Sequence, residues 1–70
     1  MKKSIKHIPG ATYTYRATDS RERLDMAEMT CLSVNDDFSV TFHAVFEGTD
    51  EREPIDEIIT LTAYQASFVY

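Results

Sequence analysis

Seventy residues carrying 12 acidic and 7 basic side chains, a net charge of −5, one cysteine and two glycines set narrow bounds. A chain this short makes one domain with a small core, a single thiol excludes an intrachain disulfide, and two glycines cannot build a glycine-rich phosphate cradle. An apolar share of 43% with four Phe and four Tyr argues against wholesale disorder.

The opening stretch MKKSIKHIPG carries Lys2, Lys3 and Lys6 but lacks the apolar stretch that makes a signal peptide. No run in the chain approaches the length of a membrane span. Residues 1–10 read as a basic tail that includes His7 and ends at the Pro9-Gly10 turn, and 11–70 as one domain. The lone thiol fits a reducing compartment, so the expected location is the cytoplasm.

From residue 11 the alternation of Tyr13, Tyr15 and Ala17 against Thr12, Thr14 and Arg16 predicts a half-buried strand. Residues 21–29, RERLDMAEM, are good helix formers without a clean helical stripe, and they read as a loop entering a long strand near Met26, with a short helix as the rival. TCLSV at 30–34 and FSVTFHAVF at 38–46 form a hairpin around Asn35-Asp36-Asp37, and the second has Phe38, Val40, Phe42, Ala44 and Phe46 on one face. EIITL at 57–61 makes a further strand. Thr62-Ala63-Tyr64-Gln65 has the form of a capping box and predicts a short helix from Ala63. The expected fold is therefore α+β and mainly β: a four-stranded antiparallel sheet of two successive hairpins with a short C-terminal helix. A helix that short cannot cover a whole sheet face, and the exposed remainder favours a homodimer.

Two octets resemble each other, TDSRERLD at 18–25 and TDEREPID at 49–56. Each follows an aromatic strand and precedes another, so both read as polar connections of successive hairpins. Pro54 would break a helix in the second copy, which makes a loop the conformation that both can share.

Catalytic chemistry finds little support. His7 and His43 are the only imidazoles; His43 falls on the polar face of the best strand, where a solvent-facing or cross-strand hydrogen bond is the expectation. Cys31 reads as a small buried apolar group. Clustered zinc ligands and an EF-hand loop are both lacking, so no metal or cofactor is expected. Tyr13, Tyr15, Phe42 and Phe46 have the general character of a base-stacking platform, but acids outnumber bases and the rings read as core, so no direct nucleic-acid contact is expected.

The charge is divided along the chain. Residues 1–34 hold Lys2, Lys3, Lys6, Arg16, Arg21 and Arg23 against Asp19, Glu22, Asp25 and Glu28. Residues 35–70 hold Asp36, Asp37, Glu47, Asp50, Glu51, Glu53, Asp56 and Glu57 against Arg52 alone. Such polarity biases encounters toward basic surfaces. The expected function is a non-enzymatic inhibitor or adaptor that docks those eight acids as one ridge on a basic protein surface, including one that otherwise holds nucleic acid. The alternative is a structural subunit of a homo-oligomer with no separate ligand.

Overall fold

The computed structural model describes residues 7–70. The chain forms β1 (Thr12–Thr14), β2 (Glu28–Val34), β3 (Val40–Phe46), β4 (Ile55–Leu61) and the single-turn helix α1 (Ala63–Ala66). All neighbouring strands are antiparallel and the sheet order follows the chain, β1-β2-β3-β4. This is the expected sheet, with its helix in the expected place.

Side-chain alternation divides the sheet into two faces. The register aligns Tyr13, Met29 and Ala44 in one row and Cys31, Phe42 and Ile59 in the next, with Val34, Val40 and Leu61 beyond them. Ala27, Met29, Cys31, Phe42 and Ala44 are completely buried, and Tyr15, Val40, Ile55, Leu61, Ala66 and Val69 complete the core. The opposite face carries Thr12, Thr30, His43 and Ile58 in one row and Ser33, Thr41 and Thr60 in another. Its threonines bond across strands, Thr12 to Thr30 at 3.0 Å and Thr41 to Thr60 at 2.9 Å. A register shift between Cys31 and Ser33 makes Leu32 the extra residue of a bulge in β2.

The ends of the elements follow local chemistry. Pro9 and Gly10 occupy the centre of a turn closed by the Ala11 amide on the Ile8 carbonyl at 2.9 Å, with Gly10 at φ +93° as a type II turn requires. Residues 18–26 form overlapping turns rather than a helix, and Met26, at φ +68°, leads into β2. At α1 the Thr62 hydroxyl accepts the Gln65 amide while the Gln65 side chain accepts the Thr62 amide, so the capping box read in the sequence is present.

Three features depart from the sequence reading. Phe38, expected on the inner face of the third strand, closes the hairpin turn instead: its amide donates to the Asn35 carbonyl at 2.9 Å, its φ is +70°, and its side chain is exposed. Beyond α1 the chain turns back and pairs with β1: Tyr70 exchanges backbone bonds with Thr14, the Arg16 amide donates to the Phe68 carbonyl at 2.7 Å, and Tyr15 bridges Val69. His7, expected in a tail, is 6% exposed; its Nε2 donates to the Val69 carbonyl at 2.7 Å, and its ring meets Tyr13 and Phe42 edge to face. An imidazole fits here because one edge is apolar enough to pack while the other satisfies a carbonyl. The ordered structure therefore takes in His7, ahead of the Pro9-Gly10 turn. The remainder of the expected tail, residues 1–6, lies outside the described residues.

Candidate functional site

An up-down sheet places its connections alternately at opposite ends. The β1–β2 loop and the β3–β4 loop share one end, and the β2–β3 hairpin lies at the other, separated by the length of β3, about 23 Å for a seven-residue strand. The two similar octets therefore lie side by side.

The β3–β4 loop is built around a tight turn. The Thr49 hydroxyl accepts the amides of Glu51 and Arg52 at 3.2 and 3.0 Å, and the Thr49 amide donates to the Arg52 carbonyl at 2.8 Å. Gly48 sits at φ +91°, and a Cβ there would lie 3.1 Å from the Pro54 nitrogen. A residue with a side chain would be both strained and crowded at this point.

Arg52 decides the charge pattern of the loop. Its guanidinium carbon lies 4.1 Å from the Phe46 ring centroid, and Nη2 donates to the carbonyl oxygens of Arg23 at 2.8 Å and Asp25 at 2.7 Å. The only cation of the acidic half is thus directed into the neighbouring octet, where a planar guanidinium serves two carbonyls at once. Glu47, Asp50, Glu51 and Glu53 stay exposed, and among the described residues none of them forms an ion pair.

The other sequence-predicted acids behave differently. Glu57 is bound by Arg23 at 2.8 Å, which holds its carboxyl below the usual glutamate range. Asp56 meets His43 across the strands at 2.6 Å on the outer face, the kind of bond expected for that histidine. Asp36 and Asp37 sit in the hairpin at the far end. Asp37 accepts the Ser39 hydroxyl at 2.6 Å and the Ser39 amide at 3.1 Å, and the hydroxyl bond first and the amide bond second lower its pKa. The eight acids therefore do not form one ridge: Asp36 and Asp37 are separated from the rest by a strand length, and Asp56 and Glu57 are engaged within the fold.

The octets are not conformational copies. In the first, Asp19 Oδ1 accepts the Arg21 amide at 2.9 Å and the same carboxylate pairs with the Arg21 guanidinium at 3.0 Å. In the second, the threonine organises the turn and the matching arginine, Arg52, leaves it. Arg23 and Arg52, which join the two loops, were not singled out by the sequence reading. Loop parity could have found them, since alternate connections of a meander share an end.

Cys31 is buried, and burial pushes its thiol pKa up, consistent with an unreactive core residue. Among the described residues no group of three or more His, Cys, Asp or Glu is arranged to hold a metal ion, and no helix is long and apolar enough to cross a membrane. No protein-family model matches the chain, and no curated protein or solved structure matches it significantly.

Proposed function

We propose that the protein is a non-enzymatic cytoplasmic binding module, an inhibitor or adaptor whose docking tip is the loop from Glu47 to Glu53. The carrying observation is the inward course of Arg52, which leaves Glu47, Asp50, Glu51 and Glu53 exposed on a braced turn and, among the described residues, without an ion-pair partner. Carboxylates clustered in this way make the local potential strongly negative and speed encounter with a cationic surface. A braced loop also loses less conformational freedom on docking than a loose one. The partner chemistry is a basic protein groove, including one that otherwise receives a nucleic-acid backbone, and the module acts by occupying it.

Capture of a basic protein from native lysate at low salt tests the reading. Replacing Glu47, Asp50, Glu51 and Glu53 together by Gln and Asn should abolish capture, whereas Asp36→Asn with Asp37→Asn should leave it intact. Raised salt or an added DNA duplex should release the partner. Equal capture by the four-site variant and the parent chain would overturn the proposal.

A further inference from the structure

The two edges of the sheet are treated unequally. The outer edge of β1 is occupied by the returning segment, through the bonds of Tyr70 with Thr14 and of Arg16 with Phe68. β4 is the terminal strand at the other side, and among the described residues only β3 pairs with it. Its seven residues, Ile55–Leu61, run in unbroken register with β3, without a bulge or an internal proline. Those devices, along with edge lysines, are what commonly blunt an open edge. The protection β4 does have is two carboxylates, Asp56 on the outer face and Glu57 in the core-face row opposite Ala44, and its middle residue, Ile58, is 66% exposed on the outer face.

About that middle residue the two outer pairs of β4 match in character, Ile55 with Leu61 and Asp56 with Thr60, while Glu57 falls opposite Ile59. We propose that β4 pairs antiparallel with β4 of a second copy about a twofold axis at Ile58, joining two four-stranded sheets into one continuous sheet. Such an axis stands perpendicular to the sheet, keeps core face with core face, and allows only registers in which one residue meets its own counterpart. Centring on Ile58 uses the whole strand. Ile55 then lies opposite Leu61 of the second copy, extending the core row, and Asp56 opposite Thr60, while the two Ile58 side chains cover each other.

Neighbouring symmetric registers are poorer. Centring on Glu57 sets Glu57 against Glu57, a like-charge pair directly opposite, which is destabilising. Centring on Ile59 leaves Ile55 and Asp56 beyond the end of the opposing strand. In the Ile58 register the two Glu57 carboxylates are diagonal neighbours, and each is already bound to its own Arg23 at 2.8 Å. The exposed tip acids Glu47, Asp50, Glu51 and Glu53 are carried to opposite ends of the joined sheet, so their repulsion does not oppose association. This self-pairing is independent of the acidic docking tip and uses backbone groups that the tip does not.

Sedimentation over a range of protein concentrations, together with cysteine cross-linking, tests it. The parent chain should show a concentration-dependent dimer, and Ile58→Lys should sediment as a monomer with an unchanged circular dichroism spectrum. Ile58→Cys should form a covalent dimer on mild oxidation, because directly opposed Cβ atoms lie about 5 Å apart. Asp56→Cys and Thr60→Cys should cross-link when mixed and not separately, which reads the register. A parent chain that stays monomeric throughout, a dimer that survives Ile58→Lys, or cysteine variants that dimerise without these cross-links would each overturn the proposal.

Discussion

Arg52 stacks over Phe46, with the guanidinium carbon 4.1 Å from the ring centroid, while its Nη2 bonds two carbonyls of the neighbouring loop. The arrangement joins two connections that are distant in sequence and adjacent in space. Arg52→Ala should lower stability by about 1–3 kcal/mol, from two charge-assisted hydrogen bonds and one cation–π contact in a half-buried setting. Arg52→Lys should recover only part of this, since an ammonium lacks the planar fork. A shift of the urea midpoint at constant slope would register the loss, and an unchanged midpoint would show that the brace is not stabilising.

His7 contributes through both its ring and its nitrogen. His7→Ala should cost about 1–3 kcal/mol, because it removes ring packing and leaves the Val69 carbonyl without its donor. His7→Phe restores the edge-to-face contacts but not the bond. Thermal unfolding of both variants therefore separates packing from hydrogen bonding, and an unaltered midpoint in His7→Ala would contradict the assignment.

Backbone conformation makes two opposite predictions. Gly48→Ala should destabilise by about 1–2 kcal/mol, as its new Cβ would be strained at φ +91° and 3.1 Å from the Pro54 nitrogen. Met26→Gly relieves a left-handed residue whose side chain is exposed, and should be neutral or stabilising by up to about 1 kcal/mol. Denaturant titration of the two variants measures both; a stabilised Gly48→Ala would refute the crowding argument.

Alkaline pH should weaken the fold. Burial raises the Cys31 thiol above its ordinary 9.0, and burial followed by the hydrogen bond to Glu22 raises the Tyr15 phenol above its ordinary 10.0. The unfolded chain therefore releases both protons at lower pH than the native chain does. Stability is fully present below about pH 9 and is lost as pH rises through the ordinary values toward the folded ones. Urea midpoints across the alkaline range measure this decline, and Cys31→Ala should flatten its first part. A thiol reagent should modify Cys31 only when the protein unfolds; rapid labelling under native conditions would contradict its burial.

Local patterns carried the fold well and the tertiary details less well. The alternation Val40 to Phe46 and the Thr62-to-Gln65 cap are short-range features, and each survived because packing and local preference agree there. Phe38 fits the same alternation but falls in the turn, where closing the hairpin outweighs burying one more ring. The core role of His7 left no trace in a basic stretch, since its partners Phe42 and Val69 are far along the chain. The return of residues 68–70 to β1 was likewise hidden, because so short a segment has no periodicity of its own. The division of the acids was accessible in principle: a strand between Asp37 and Glu47 must hold them apart. Which carboxylates are compensated depended on arginine rotamers, which no linear pattern specifies.

Because Tyr15 bridges Val69 and His7 bonds the same residue, the first strand, already paired with β2 on one side, has its outer edge covered only when the last described residues arrive. During synthesis the three-stranded portion from β2 to β4 can emerge and zip by short hairpins, while the β1 edge waits for a contact spanning nearly the whole described chain. A nascent chain stalled before Phe68 would thus hold an unsealed flank, and completion of the native state falls after that point leaves the ribosome.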